Sequence, residues 1–175
     1  LDFSQAKTIW SPDSRQIIAL FGDLNNVQSA YLLQADSDNP NPQDITATLS
    51  IVLSAWQTKT QAKYQDKLLS LPKEFLKIAT TSAGLLKFAP DETKIVYEAT
   101  ASATLPLILK NPLIGADSQP EERNLKPKTI YVYDVKEDKN FKIPSPISSL
   151  MWFPDSKHLI NVQKGAISIM EYDAA

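Results

Sequence analysis

The chain has 175 residues and no cysteine, which excludes disulfides, thiolate nucleophiles and cysteine-based metal sites. Glycine occurs only four times, at Gly22, Gly84, Gly115 and Gly165. That scatter rules out a glycine-rich phosphate loop or a dinucleotide fingerprint. Histidine occurs once, as His158. A Ser-His-Asp arrangement would have to use it, yet no G-x-S-x-G elbow marks a serine partner. No apolar run approaches the roughly 18 residues needed to cross a bilayer. Neither sign of charge dominates: 18 Lys and Arg face 20 Asp and Glu, for a net charge of −2. Lys59, Lys63, Lys67, Lys73 and Lys77 are spread along a helix-like stretch with Asp66 and Glu74 among them, which describes a solvated face and not the basic patch that nucleic acid demands. No contact with nucleic acid or membrane is expected, and no cofactor, metal or catalytic residue is assigned. The chain is read as non-enzymatic.

What the sequence does contain is one phrase used three times: Trp10-Ser11-Pro12-Asp13-Ser14-Arg15-Gln16-Ile17-Ile18, Phe88-Ala89-Pro90-Asp91-Glu92-Thr93-Lys94-Ile95-Val96 and Trp152-Phe153-Pro154-Asp155-Ser156-Lys157-His158-Leu159-Ile160. Proline supplies the fixed φ of a turn's second position, and the aspartate after it can bond backbone two residues on. Each phrase is therefore a hairpin corner. Its turn type stays open, because Ser14, Glu92 and Ser156 stand where glycine would make a left-handed residue cheap. Strands follow at Gln16 to Phe21, Lys94 to Tyr97 and His158 to Val162, with apolar residues run together as burial on both faces requires. Third strands are expected at Ala30 to Leu33, Thr129 to Tyr133 and Ala166 to Met170, and fourth strands at Phe141 to Ile143 and Ile45 to Leu49. Antiparallel units of about four strands, repeated, are the pattern of a β-propeller.

The phrases lie 78 and 64 residues apart, more than the roughly 40 that one blade needs. Two insertions account for the excess. Residues 50–80 form a helical insertion, with Leu53, Trp56, Thr60, Tyr64, Leu68 and Leu71 stepping by three or four. Pro72 opens a second helix from Lys73 to Ala79. These helices either cap a blade or form a docking surface with Trp56 or Tyr64 as its anchor. Residues 100–128 form a proline-rich loop whose first half, with Leu107 and Ile108, is either packed on a blade or presented to a partner.

Apparent chemistry elsewhere has plainer readings. Asp36-Ser37-Asp38-Asn39-Pro40-Asn41 lacks the sixth-position glycine and closing glutamate of a calcium loop, so it reads as a polar turn. Asp13, Asp91 and Asp155 recur because one turn is built three times, each carboxylate serving local backbone donors. Trp10 and Trp152 hold the same place in the phrase, which predicts the same packing between neighbouring sheets.

Across residues 5 to 49 and 83 to 175, the pattern W-S-P-D-[SG]-[RK]-x-I, followed by a strand such as Ile130-Tyr131-Val132-Tyr133-Asp134, resembles the WD40-like repeat of TolB-type propellers. It departs from that family where serine, glutamate and serine replace the usual glycine. The resemblance implies a mainly β fold: a partial TolB-like β-propeller of two and a half to three antiparallel blades, occupying residues 1–175 as one domain with the helical segment inserted. It also implies a non-catalytic module of a larger bacterial protein, extracytoplasmic or at the cell surface. That module would act in protein–protein interaction or scaffolding, its partner a separate protein or neighbouring domains of the same one. A second reading is the accessory or gating propeller of a prolyl oligopeptidase-type peptidase whose catalytic domain lies outside this chain. Closed rings need at least about four blades, so sequence beyond the chain or another copy is expected to cover the open blades. Self-association through unpaired blade edges is the corresponding expectation.

Overall fold

A computed structural model describes residues 3–109, 120–144, 150–163 and 165–173. Among the described residues the architecture is mainly β, with four antiparallel sheets, none closed on itself, and two α-helices. The chain divides into two compact units, Leu1–Asp66 and Lys67–Ala175.

In the first unit β1 (Lys7–Trp10), β2 (Gln16–Asp23), β3 (Asn26–Gln34) and β4 (Gln43–Asp44) pair in sequence order. The register sets Ile9 beside Ile18 and Ile18 beside Leu32. Because side chains alternate along a strand, Ile18, Leu20 and Ala30 then share one face, where they are buried with Ile45, Leu49 and Trp56. The β2–β3 turn needs Gly22: its φ is +91°, and a Cβ there would lie 2.4 Å from the Asn26 carbonyl oxygen.

The strand expected at Ile45 to Leu49 does not form. Asp44 Oδ1 accepts from the Thr46 amide at 2.8 Å, and Thr46 Oγ1 accepts from the Ala30 amide at 3.0 Å. These bonds turn the chain into a short 3₁₀ segment, Thr46–Thr48, that leads into α1 (Leu49–Leu69). Ile45, Leu49, Val52 and Trp56 step at helical spacing, which explains why they reach the sheet from one side. Of the stripe expected from Leu53 to Leu71, Trp56 and Leu71 are buried, and Leu49 is the other buried residue of α1.

In the second unit Pro72 is the cap residue, not the first helical residue, of α2 (Lys73–Thr81), and the helix runs past the expected stop at Ala79. Thr80 and Thr81 are accommodated because their hydroxyls donate to the Leu76 and Lys77 carbonyls one turn back. The main sheet is a meander of β5 (Ala83–Phe88), β6 (Lys94–Ala99), β9 (Thr129–Asp134) and β10 (Lys139–Ile143). The insertion after β6 contributes a two-residue ribbon, β7 (Ala103–Thr104) with β8 (Asn124–Leu125). A third sheet follows: β11 (Leu150–Trp152), β12 (His158–Gln163) and β13 (Ala166–Glu171).

The meander is covered on both faces, as its unbroken apolar strands demand. Ile95, Tyr97, Tyr131 and Tyr133 pack against Phe75 and Ile78 of α2 and Leu125 of the ribbon. On the reverse side Val96, Ile130, Val132 and Ile143 pack against Leu150 and Leu159 of the third sheet.

Candidate interaction surface

The three proline–aspartate corners are bonded alike. The amides of Ser14, Glu92 and Ser156 donate to the carbonyls of Ser11, Ala89 and Phe153, at 3.0, 2.9 and 3.1 Å. Oδ1 of Asp13, Asp91 and Asp155 accepts from the amides of Arg15, Thr93 and Lys157. The carbonyls of those same three residues accept from the amides of Ala35, Val135 and Tyr172, each the residue just after a third strand. The bonds also hold all three carboxyls below the ordinary aspartate range. For Asp13 the Ser11 hydroxyl contributes most; for Asp155 it is the Lys157 amide. For Asp91 burial pushes the other way and is outweighed by the Thr93 bonds together with Lys94 and Ser156.

The turn type left open by sequence is thereby settled. Ser14, Glu92 and Ser156 have φ of +60°, +62° and +60°, the left-handed region that costs a non-glycine residue about 1–2 kcal/mol. Ser14→Gly is expected to raise stability by about 0.5–1 kcal/mol, once the glycine's extra freedom in the unfolded chain is subtracted. Ser156→Gly is expected to show no such gain. The Ser156 side chain is buried, and its Oγ accepts from the Asp91 amide at 3.0 Å. Urea midpoints of the two variants measured side by side check the difference.

That Ser156 bond belongs to a seam between the meander and the third sheet. Trp152 Nε1 donates to the Lys87 carbonyl at 2.8 Å, and Lys87 Nζ donates to the Leu150 carbonyl at 2.8 Å. The Lys94 ammonium sits 4.6 Å from the centre of the Tyr172 ring, and Phe141 meets that ring edge-on. Polar ties at the corner end and a strip of aliphatic packing make the seam dry in the middle and oriented at one end.

The reverse face of the third sheet lacks such a cover among the described residues. Register places Met151, Ile160 and Ile169 in one row and Val162 with Ile167 in the next. Ile167 is 71% and Ile169 60% exposed, and Met151 and Val162 also lie open. Scattered apolar residues on a surface are ordinary, whereas a contiguous aliphatic face marks an interaction site.

Trp10 does not pack as its counterpart does. Trp152 is partly buried in the seam, but Trp10 is 55% exposed. It lies on the face of the first sheet that also carries Ile17 and Leu33, and no described residue takes its indole N–H.

The residues singled out from sequence as anchors fall in different places. Trp56, 8% exposed, is a core residue of the first unit; as a β-sheet cover it is unfit for docking. Tyr64 is half-buried on α1, and burial raises its phenol above the ordinary range. Leu107 is 73% exposed. Ile108 packs against the core beside Tyr133, and its amide donates to Asp138 Oδ2 at 2.6 Å. Trp56 and Ile108 thus pack within their own units, and Leu107 is the exposed one of the four. The sequence reading missed the Met151–Ile169 face, although the two-residue step of Ile167 and Ile169 was there to find it.

His158 supports its corner. Nδ1 lies 2.6 Å from Asp155 Oδ2, and Nε2 lies 3.5 Å from Glu171 Oε1. Both ring nitrogens thus face carboxylates, which leaves neither turned to a serine hydroxyl. The Asp155 hydrogen bond is the main reason the imidazole holds its proton above pH 6.5, with Glu171 adding to it. A group whose pKa rises on folding stabilises fully below its unfolded pKa, and the contribution is lost as pH climbs through the folded value. An NMR titration is expected to place the signal of this single histidine above pH 6.5, with Asp155→Asn moving it down.

No group of three His, Asp or Glu side chains suited to a metal occurs among the described residues. The Asp36–Asn41 segment is a tied turn, with Asn39 accepting from the Gln34 amide and donating to the Gln34 and Ser37 carbonyls.

No family model and no curated protein matches this sequence.

Proposed function

We propose that the chain is a non-catalytic protein-recognition module, a partial TolB-like β-propeller of about three blades within a larger bacterial protein. The observation that carries the reading is the open aliphatic face of the third sheet, centred on Ile167 and Ile169. Burying aliphatic area contributes about 25 cal/mol per Å², and these aliphatic rows select a partner by shape, bordered on the same face by the His158–Glu171 pair. The three like-bonded corners and the seam between two of the sheets support stacked blades as the scaffold. The family resemblance of the repeated phrase implies an extracytoplasmic setting.

A photoreactive benzophenone side chain in place of Ile167 tests the reading in the cells that make the protein. A discrete protein adduct, lost when Ile169→Asp is added, is expected. Absence of any protein adduct overturns the proposal, as does peptidase turnover by the isolated chain that His158→Ala abolishes.

A further inference from the structure

We infer that the occupant of the open face is a second copy of this chain, which seats the Trp10 face of its first sheet on the third sheet, head to tail. The inference rests on reading that face as a protein-recognition surface and names the partner.

The argument starts from the seam already built inside the second unit. One side of it offers a carbonyl at Lys87, an amide at Asp91 and an apolar strip of Val96, Val132 and Ile130. The other side offers an indole N–H at Trp152, a hydroxyl at Ser156 and the apolar side chains Leu159 and Met170. The common bonding of the three corners fixes which residues correspond. On the open face Met151, Asp155, Ile160, Ile169 and Ile167 stand where Lys87, Asp91, Val96, Val132 and Ile130 stand in the meander. That is the acceptor side of the seam, in a more aliphatic form.

The donor side recurs in the first sheet. Trp10 corresponds to Trp152, Ser14 to Ser156, Ile17 to Leu159 and Leu33 to Met170. Trp10 and Ser14 are exposed, and Ile17 and Leu33 are half-buried. The other face of that sheet is already filled by α1, and on this face Phe3 packs over Phe21 and Tyr31, so the corner end around Trp10, Ile17 and Leu33 is the part left to stack. In the complex the Trp10 indole donates to the Met151 carbonyl and Ser14 Oγ accepts from the Asp155 amide, repeating the two bonds of the internal seam. The two surfaces are different, so each copy has one of each. Such a heterologous contact adds copies until a ring closes or a filament grows.

Sedimentation of the 175-residue chain from about 1 µM to about 1 mM, the range of a weak to moderate contact, tests this. Mass is expected to rise with concentration, and Trp10→Asp and Ile169→Asp are each expected to weaken association at least about tenfold, as a charge at an interface centre does. Both side chains are exposed, so both variants should keep the wild-type melting profile. The diagnostic result is the mixture. Trp10→Asp copies keep an intact third-sheet face and Ile169→Asp copies an intact first-sheet face, so together they should form a one-to-one dimer and nothing longer. A wild-type chain that stays monomeric throughout overturns the inference, as does a mixture that fails to pair or association that both variants leave untouched. A benzophenone adduct at position 167 to some other protein would overturn self-stacking while leaving the recognition function intact.

Discussion

Phe75→Ala is expected to cost the second unit about 3–5 kcal/mol, the range for emptying a fully buried aromatic site. Phe75 has no exposed surface. Its ring stacks on Tyr133 with centroids 4.1 Å apart, and Tyr97 approaches edge-on at 5.5 Å. The size of a cavity penalty depends on whether neighbours can collapse into the space, and here they are tethered. Tyr97 Oη donates to Asn140 Oδ1 at 2.9 Å, and Tyr133 Oη donates to Asp138 Oδ1 at 2.9 Å. Burial pushes both phenols well above the ordinary tyrosine range, so both remain donors at any pH where the protein is handled. Phe75→Leu, which refills much of the volume, should cost less than half as much. Urea unfolding followed by circular dichroism reads both. A loss below about 1 kcal/mol for the alanine variant would mean that α2 is not the cover of the tyrosine face.

Asp138→Ala is expected to cost a similar amount, about 3–5 kcal/mol, by a different route. Removing one member of a buried charged cluster leaves the remaining members unpaired. The Asp138 carboxylate is buried and accepts from the Ile108 amide at 2.6 Å, the Leu109 amide at 2.8 Å and the Tyr133 hydroxyl, with Arg123 Nη1 at 3.5 Å. Arg123 also donates to the Pro106 carbonyl at 2.9 Å and to the Asp138 carbonyl. One acid thus pins the stretch from Pro106 to Leu109 to the β9–β10 corner. The same substitution should make that stretch newly sensitive to protease under conditions where the remainder is still folded. Asp138→Asn keeps one acceptor oxygen but turns an amide N–H₂ toward donors, and should fall between wild type and alanine. Equal protease resistance in wild type and alanine variant would show that the stretch is held by Ile108 packing alone.

The two results concern features that differ in how visible they are from sequence. Corners and strands were legible because each depends on residues close in the chain: Pro12, Pro90 and Pro154 fix a turn, and a β-branched run such as Thr129–Asp134 fixes a strand. Phe75 was legible as part of a short helix, though not as the central aromatic of a core. The left-handed serines and glutamate were not legible, since those residue types rarely adopt that conformation. Nor was the role of Asp138, whose backbone amide donors come from 29 and 30 residues away in a loop with no periodic pattern. Ile45 and Leu49 were misread as strand because a five-residue apolar window fits either period. For the interaction surface, Ile167 and Ile169 lie in a strand that was anticipated. What sequence could not supply was which of its two faces the preceding sheet would cover, and Trp10 and Trp152 show that equal positions in the phrase need not meet equal surroundings.

The two helices of the insertion have a bearing on how such chains change over time. α1 lies on the Ile18 face of one sheet and α2 on the Ile95 face of another, and the corresponding faces at Val96 and Leu159 are the ones that meet as sheet on sheet. A sheet of this kind accepts either kind of neighbour, so the joining segment decides which it receives. A spacer carrying apolar residues at helical intervals seals a sheet from within its own unit, whereas the sheets that end at Ile143 and begin at Leu150 pack directly on each other. Lengthening or trimming one linker would therefore recast a stacking surface as a finished exterior, or the reverse, without a single change in the strands themselves.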